Sequence, residues 1–557
     1  MNDRAVHADG PTVLIIGSGP AGVSAAWPLL EAGLRVHLID PGVTRVGPSA
    51  LDHRDYTERR KTDPEQWRLF LGSDAAILEN ASPKLRAPEF SHVFRGFRDH
   101  YHIVADDFSA HGSLAPGGLS NAWGAGVGTF TEHELEEYPV TRAELIPSYQ
   151  AVAARIGVSG ASDDDLAGWF GTEYPLQQPH PVQPQIEPLY VRHNRRVAGL
   201  GSAAVRNFRL GRPQHAVLTE NLGDRLACDL RGLCMYGCER RAIYNAADEV
   251  RLLCADPRFT YSTGWFVTRI AAEGSAFVLQ ATGLHDGAKR QFFGDRVIVA
   301  AGTLGSTRLA LDFLGAYDVD VPLLTTPVMA FALLLRENLM AVPVEGGFSL
   351  GQLAFTLKLA GIDGGPDVFG SVFPTTGMLP TELYGRLPLL RPFARSFAAW
   401  LWPRLLVSAC FFPGTYSNNS MRLQSNGETF IRGGYAGSLR AAVKQATRQL
   451  RTEFAQLGAT LLPGTTKMSR PGEEMHYAGT LPMRERPGPY ETDREGRIGG
   501  VDGIHVVDGT VLTALPAKSH TLTIMANADR IARLVAAKLR PSVGGMISPP
   551  PSSAVST

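Results

Sequence analysis

The chain has 557 residues, with 54 lysines and arginines against 54 aspartates and glutamates. This balance provides no excess of positive charge for binding a phosphate backbone, so we expect no nucleic-acid partner. Hydrophobic residues make up 44% and charged residues 19%, which is typical of soluble globular proteins and argues against long disorder or a multi-span membrane protein.

The N-terminal segment predicts a strand, a helix and a second strand. Residues Val13 to Ile16 form a short apolar run, as expected of a strand buried on both faces. A helix is predicted from about Pro20 to Ala32, followed by a strand from Arg35 to Ile39. This order is the opening β-α-β unit of a parallel sheet.

A glycine motif lies between the first predicted strand and its helix. It has the form G-x-G-x-x-G, and its three glycines are Gly17, Gly19 and Gly22. The first permits a tight turn, the second lets a pyrophosphate approach the backbone at the helix N-terminus, and the third lets helix and strand pack closely. Asp40, at the end of the second strand, can accept hydrogen bonds from ribose hydroxyls. The motif predicts a dinucleotide site and leaves FAD and NAD as alternatives.

Further elements follow along the chain. We predict an N-capped amphipathic helix that ends near Gly157, a strand at Val297 to Gly302 continuing into a helix at Thr303 to Leu314, and helices at Gly437 to Leu457 and Thr521 to Leu539. The proline- and serine-rich end, Pro541 to Thr557, is predicted to be disordered.

The segment Leu379 to Phe412 allows two interpretations. It places Arg386, Arg391, Arg395 and Arg404 among leucines and aromatic residues. Such a pattern is compatible with a basic helix face lying on a membrane, but the simpler interpretation is a helix pair or lid in a substrate domain.

The chain has five cysteines, too few for a disulfide framework and odd in number, which favours a reducing cytoplasm. Cys228, Cys234, Cys238 and Cys254 lack the paired C-x2-C spacing of the usual zinc or iron-sulfur sites. We therefore predict no metal site and interpret them as a cysteine-rich turn near the cofactor domain.

Two histidines near the C-terminus are candidates for acid-base chemistry. His476 precedes a Gly-Thr pair, and His520 follows Ser519 and precedes Thr521. An imidazole with an ordinary pKa of about 6.5 is suited to accepting an alcohol proton near neutral pH.

With these segments in place, the sequence resembles the glucose-methanol-choline (GMC) oxidoreductases, flavoenzymes that oxidise alcohols. The resemblance covers most of the chain and is strongest to the branch of pyranose 2-oxidase and of bacterial sugar or aminoglycoside alcohol dehydrogenases. The segments that carry it are the glycine motif with Asp40, the run Gly117 to Gly124, Val297 to Leu311, His476 to Met483, and Ile504 to Met525.

The resemblance implies an α/β fold in which a Rossmann-like FAD-binding domain is interleaved with a substrate domain of mixed sheet and helices. It also implies FAD as the cofactor, with Gly117 to Gly124 covering the flavin. Relatives of pyranose 2-oxidase carry, at the position of Ala122, a histidine that links covalently to the flavin, so non-covalent FAD is expected here. The implied cofactor residues are Gly17, Gly19, Gly22, Asp40, Gly117, Gly118, Ser120, Asn121, Ala122, Trp123, Ala301, Asp508, Gly509 and Thr521.

The implied chemistry is hydride transfer from an alcohol carbon to the flavin, with a histidine taking the hydroxyl proton. His476 matches that histidine. The second polar position lies eleven residues after Asp508, which selects Ser519, whereas a one-residue shift of the backbone selects His520. Both remain candidates.

The predicted domain division follows the resemblance. FAD-binding segments are expected at 1–60, 100–135, 225–315 and 472–540, the last with the catalytic residues, and substrate-domain segments at 61–99, 136–224 and 316–471, followed by a disordered tail at 541–557.

The expected partner is a small-molecule alcohol, preferably a sugar or an aminocyclitol. Two alternatives are an apolar lipid or terpenoid alcohol oxidised at a membrane surface, with peripheral membrane contact, and a flavin-binding protein without turnover. Oxygen, a quinone and a protein all remain candidate electron acceptors.

Overall fold

The computed structural model describes residues 11–47, 49–71, 83–199, 207–336, 346–359, 367–378 and 391–539. The predicted disordered tail and Arg386 lie outside the described residues.

A five-stranded parallel sheet organises the N-terminal and C-terminal parts of the chain. Its central strand is the apolar run after Pro11, which is buried on both faces as predicted. Because strands far apart in sequence meet here, the sheet brings the ends of the chain together. In spatial order the strands are Ile504–Val506, Arg296–Val299, Thr12–Ile16, Arg35–Asp40 and Phe259–Thr263.

Helices cover one face of this sheet. Pro20–Glu31 packs against Thr521–Leu539, which in turn packs against Arg142–Ile156. The last of these helices starts with a capping box, in which Thr141 and Glu144 satisfy each other's backbone N–H groups. These helices confirm the predictions from the sequence to within a residue or two at each end.

The other face packs against a three-stranded antiparallel sheet and the helix Thr303–Leu314. The strands of that sheet are Trp265–Glu273, Ala276–Gly283 and Lys289–Gly294. The two core clusters therefore lie on opposite sides of the parallel sheet.

A second large sheet, which we call the antiparallel sheet, is built from the middle of the chain. Its spatial order is Ala459–Leu461, Val328–Leu335, Leu405–Phe411, Asp367–Pro374, Leu353–Lys358 and Phe208–Gly211, with Lys467–Met468 also paired to Val328–Leu335. One of its faces packs on the helix Leu439–Gln456. Smaller sheets join Val321–Leu323, Asn419–Leu423, Thr429–Arg432 and Ile103–Asp106, and pair Gly126–Val127 with Gln214–His215.

The remaining α-helices of the described residues have at most twelve residues. They are Tyr56–Thr62, Trp67–Phe70, Pro83–Arg86, Ser91–Phe94, Phe97–His100, Ala167–Phe170, Glu187–Ala198, Ala246–Leu253 and Arg391–Leu401. Together with the sheets they confirm the predicted α/β architecture of a parallel-sheet layer combined with a mixed sheet-and-helix region.

Candidate active site

The glycine motif forms an open helix N-terminus at the edge of the parallel sheet. Gly17 has a φ of +97°, and a Cβ there would lie 2.5 Å from the Ala300 carbonyl oxygen. A Cβ at Gly22 would lie 2.0 Å from the carbonyl oxygen of Gly17. A Cβ at Gly19 would meet nothing within 4 Å, and Gly19 caps its helix without a side-chain hydrogen bond. The first turn therefore presents free N–H groups to an open space, as a pyrophosphate requires.

Asp40 lies beside this turn and is buried. Its carboxylate accepts hydrogen bonds from the backbone N–H groups of Ser18 and Gly42, both at 2.8 Å. Burial raises the pKa of Asp40 to about 6, against the lowering effect of the Ser18 hydrogen bonds. The Asp40 side chain thus stabilises the turn through these hydrogen bonds. Ribose binding by Asp40 remains a prediction.

A second helix N-terminus converges on the same region. Asp508 accepts hydrogen bonds from the Ser306 hydroxyl at 2.5 Å and from the hydroxyl and N–H of Thr510. The backbone N–H of Ala301 donates to the Ser306 hydroxyl at 2.9 Å. A Cβ at Gly509 would lie 2.6 Å from the carbonyl oxygen of Tyr477, so this glycine allows the segment that follows His476 to pack closely.

The predicted flavin-covering loop lies over the first helix turn. Gly117 and Gly118 have positive φ angles of 83° and 59°, and a Cβ at Gly118 would lie 3.3 Å from the Cα of Gly19. The backbone N–H of Gly117 donates to the Ser18 hydroxyl at 3.0 Å. The structure therefore brings the loop and the glycine motif together across about a hundred residues of sequence.

Polar side chains of the loop hold its own shape. Ser120 donates to the Gly117 carbonyl, Asn121 donates to two carbonyls of the loop, and the Trp123 indole donates to the Tyr244 carbonyl. Ala122 is buried and has no side-chain nitrogen for a bond to flavin. These contacts give Ser120 and Asn121 a structural role in the loop.

Two residues that support the loop were not identified by the sequence analysis. Asn245 donates to the Asn121 side chain and caps the helix Ala246–Leu253. The buried amine of Lys84 donates to the Trp123 carbonyl, and burial lowers its pKa to about 8. An asparagine directly before a helical pattern is an N-cap signal that would have identified Asn245, whereas nothing local marks Lys84.

The two candidate histidines face each other. The ring centroids of His476 and His520 lie 4.9 Å apart at an interplanar angle of 83°. Burial lowers the pKa of His476 to about 4, and burial together with the His476 ring holds the pKa of His520 well below 6.5. Both imidazoles are therefore neutral at neutral pH.

Their hydrogen bonds differ. His476 Nδ1 lies 2.7 Å from the hydroxyl of Thr326. Thr326 is buried, and the sequence analysis did not identify it as a site residue. His520 Nδ1 is buried and has no hydrogen-bond partner among the described residues. Ser519, by contrast, turns its hydroxyl towards Gly126, where a Cβ would lie only 3.1 Å away. Thr521 begins the helix Thr521–Leu539 directly after the pair.

A stack of rings leads away from His476. Phe411 stacks on His476 at 5.4 Å, Phe369 stacks on Phe411 at 6.2 Å, and Trp169 stacks on Phe369 at 5.0 Å. At the far end the Lys518 ammonium lies 4.1 Å from the centroid of the Trp169 ring. The stack joins the antiparallel sheet to the segment that carries His520.

Lys518 is fully buried, and the sequence analysis did not identify it either. Its ammonium donates to the Thr129 and Trp169 carbonyls, at 2.8 and 2.5 Å, and pairs with Glu134 at 2.9 Å. Since Lys518 is two residues before His520, these bonds fix the backbone that orients the histidine.

The face of the antiparallel sheet that carries Phe411 forms what we call the apolar wall. Because side chains alternate along a strand, residues two apart and their cross-strand partners share this face. On the three central strands Ser371 is its one polar member, and most members keep some accessible surface, whereas the other face of these strands is fully buried. The flanking strands add Thr356 beside Phe369 and Lys467 beside Ala330. The wall comprises Val328, Ala330, Ala332, Phe369, Ser371, Phe373, Val407, Ala409 and Phe411.

The cysteine segment packs beside the flavin loop. Cys228, Cys234 and Cys238 are half-buried free thiols in the cluster that also packs on Trp123. Burial raises the pKa of Cys228 to about 12. Within the described ranges no group of three or more potential ligands is placed to hold a metal ion.

No helix in the part of the chain that the structure describes is long and apolar enough to cross a bilayer.

Residues 416–528 match the family model described as GMC oxidoreductase. This range contains both candidate histidines and the Asp508-Gly509 pair. The family model thus places a GMC oxidoreductase domain at residues 416–528, and this match together with the fold supports the predicted resemblance to these FAD-dependent oxidoreductases.

Two solved structures are similar to the chain over nearly its whole length. Pyridoxine 4-oxidase from Mesorbium loti is 17% identical with a TM-score of 0.60, covering 94% of this chain and 99% of its own. Formate oxidase is 13% identical with a TM-score of 0.61, covering 96% and 99%. At these identities the likeness concerns the fold. No curated protein sequence matches the chain.

Proposed function

We propose that this protein oxidises an alcohol to an aldehyde or ketone, with His476 as the base that takes the hydroxyl proton. Bound FAD supplies the hydride acceptor. The observation that carries the proposal is the pair of neutral, buried imidazoles facing each other at 4.9 Å beside the apolar wall.

Thr326 orients the base. When His476 Nδ1–H donates to the Thr326 hydroxyl, Nε2 keeps a lone pair for the substrate proton. A neutral imidazole at neutral pH is the form that can accept a proton, and a well-placed base of this kind contributes about 10²–10⁴ in rate.

His520 is proposed to bind the substrate oxygen. Its buried Nδ1 has no partner among the described residues, so a hydrogen bond to an incoming hydroxyl offsets the cost of its burial. Ser519 remains the alternative that matches the family position by counting.

The cofactor residues present fit FAD. The open space at Gly19, the uncapped helix N-terminus and the close approach of Gly118 form a cradle for a pyrophosphate. We propose that Gly17, Gly19 and Gly22 hold the dinucleotide, that Asp508 and Gly509 support the flavin side, and that FAD is bound non-covalently because Ala122 replaces the linking histidine. The domain division predicted from the sequence is kept as part of this proposal.

The apolar wall supports an alcohol with an apolar body. On the three central strands of the wall next to His476, Ser371 offers the one hydrogen-bonding side chain, and Thr356 and Lys467 lie only on the flanking strands. A sugar or aminocyclitol, by contrast, carries a polar group on most carbons. We therefore place an apolar or aromatic alcohol first, and the predicted sugar or aminocyclitol becomes the second candidate.

An anaerobic screen tests the proposal. FAD-loaded protein is mixed with aromatic, aliphatic, sugar and aminocyclitol alcohols. The measurement is the loss of the absorbance band of oxidised flavin at about 450 nm. His476→Ala should keep its FAD and reduce it at least about a hundredfold more slowly.

The matched control is His133→Ala, since that side chain is largely exposed and should leave the rate unchanged. Bleaching by sugars alone would reverse the order of the two substrate classes. If no alcohol bleaches the flavin, the protein is a flavin-binding protein without this turnover.

A further inference from the structure

We propose that the helix Arg391–Leu401 docks the protein on an anionic phospholipid surface. Phe393, Phe397 and Trp400 are 67%, 42% and 54% exposed, and their spacing of four and three residues places them on one helix face. The Phe397 and Trp400 rings stack at 5.7 Å. Elsewhere in the described part of the chain, the large exposed hydrophobic residues are far from one another in the sequence.

The side of this helix next to its aromatic face packs on the protein. Ala398 is fully buried and Leu401 is 8% exposed. The helix therefore has one side packed on the protein and, beside it, an exposed aromatic side that is available to an interface.

The charge of the segment around this helix favours an anionic lipid surface as the binding partner of the aromatic side. From residue 391 to residue 404 the sequence has three arginines and no acidic residue, in a chain whose total charge is zero. The Arg404 guanidinium lies 4.7 Å from the centroid of the Trp400 ring, next to the aromatic face. Aromatic residues flanked by arginines match the headgroup region of a bilayer that contains anionic lipids.

A second copy of the chain fits this surface less well. Closed two-fold dimers bring the same patch of both subunits together. Such a contact would bring together two segments that each carry three arginines and no acidic residue between residues 391 and 404.

The position of the helix connects the surface to the candidate site. The helix is followed by Trp402–Arg404 and then by the strand Leu405–Phe411, whose alternate residues belong to the apolar wall and end at Phe411 on His476. At about 3.3 Å per residue this strand spans about 20 Å. We infer that the substrate is a membrane-partitioned alcohol that reaches the histidines along the wall. This delivery rests on the proposed function, whereas the docking does not.

Vesicle flotation of the FAD-loaded protein tests the docking. Wild-type protein should float with vesicles of phosphatidylcholine plus phosphatidylserine, less with phosphatidylcholine alone, and less as salt is raised. The double variant Phe397→Ser, Trp400→Ser should partition at least about tenfold more weakly, and Arg404→Gln about fivefold more weakly on the anionic vesicles alone.

Leu252→Ser is the matched control, because it removes an exposed leucine from a different helix. It should float like wild type, and all variants should keep the wild-type flavin reduction rate with a water-soluble alcohol. Equal flotation of the double variant and wild type, or no flotation of wild type, would overturn the proposal.

Self-association is measured on the same proteins by sedimentation. A wild-type dimer that the double variant dissociates, without vesicle binding, would assign the helix to a second copy and also overturn the proposal. Vesicle binding without turnover of any alcohol would leave the docking intact and remove the proposed function.

Discussion

At the scale of single residues, the candidate site depends on which side chain of the Ser519-His520 pair faces His476. The ring contact of 4.9 Å belongs to His520, while the Ser519 hydroxyl lies against Gly126. The two side chains therefore have different surroundings, and of the pair His520 is the one in contact with His476. We therefore assign the second polar role to His520 as part of the proposal.

Substitution of each residue of the pair tests this assignment. His520→Ala should slow flavin reduction at least about tenfold, because a hydrogen bond to the reacting oxygen is lost, whereas Ser519→Ala should change it less than about threefold. Stopped-flow reduction at saturating alcohol is the measurement. The reverse order would place Ser519 in the site and leave His520 with a structural role.

The pH dependence of flavin reduction reports on the base. Burial lowers the pKa of His476 to about 4, and a base acts in its unprotonated form, so the rate should stay constant from pH 8 to pH 6 and fall only as pH approaches 4. Stopped-flow reduction of FAD-saturated protein across this range is the measurement.

Two other outcomes would contradict it. A fall centred near pH 6.5 would indicate a solvated histidine. A fall centred near pH 8 would point to Glu474, two residues before His476, because burial raises the pKa of that carboxyl to about 8.

At the scale of secondary-structure elements, the parallel strands and the helices that follow them form the cradle. Gly17 and Gly22 are required by packing within the protein, since a Cβ at either position would meet a carbonyl oxygen. Gly19 is different, because its φ of −65° is open to any residue and its surroundings are empty. The space beside Gly19 is therefore open, and we expect the cofactor to be the group that fills it.

Gly19→Val therefore separates folding from cofactor binding. The variant should be soluble, with the wild-type circular dichroism spectrum, but colourless, because the valine side chain fills the space of the pyrophosphate. The ratio of flavin to protein absorbance is the measurement. Gly437→Val, at an exposed glycine with equally open surroundings, should remain yellow. A yellow Gly19→Val protein would show that the dinucleotide lies elsewhere.

At the scale of the whole molecule, buried polar contacts tie together segments that are far apart in the sequence. Lys518 joins Thr129, Glu134 and Trp169, and through the Trp169 stack it reaches the antiparallel sheet. Removing its ammonium leaves the Thr129 and Trp169 carbonyls without this donor and the mostly buried Glu134 carboxylate without its cation, with only the hydrogen bonds from Thr131. This is the kind of change that costs the most stability.

Lys518→Met should accordingly lower the free energy of unfolding by about 3–5 kcal/mol. The melting temperature and a urea titration of the FAD-loaded protein measure the change. Lys538→Met removes an ion pair of a half-exposed lysine with Glu495 and should cost less than about 1 kcal/mol. Equal stability of the Lys518 variant and wild type would show that the buried contacts are replaced by solvent.

The elements that could be predicted from the sequence are those with local signals. The strand Thr12–Ile16, the glycine turn and the helix Pro20–Glu31 depend on apolar runs and glycines within some twenty residues. The helix Arg142–Ile156 was predicted from its threonine cap and apolar spacing. The family and its cofactor followed from the order of several such segments.

Tertiary structure decided what local signals leave open. Thr326 beside His476, Lys518 beneath His520 and the apolar wall involve contacts across up to hundreds of residues, and no spacing in the sequence encodes those distances. The choice between Ser519 and His520 has the same origin. A sequence determines which side chains a turn or strand offers, but the direction in which a buried side chain points depends on the elements that pack around it, and these meet only when the chain is folded.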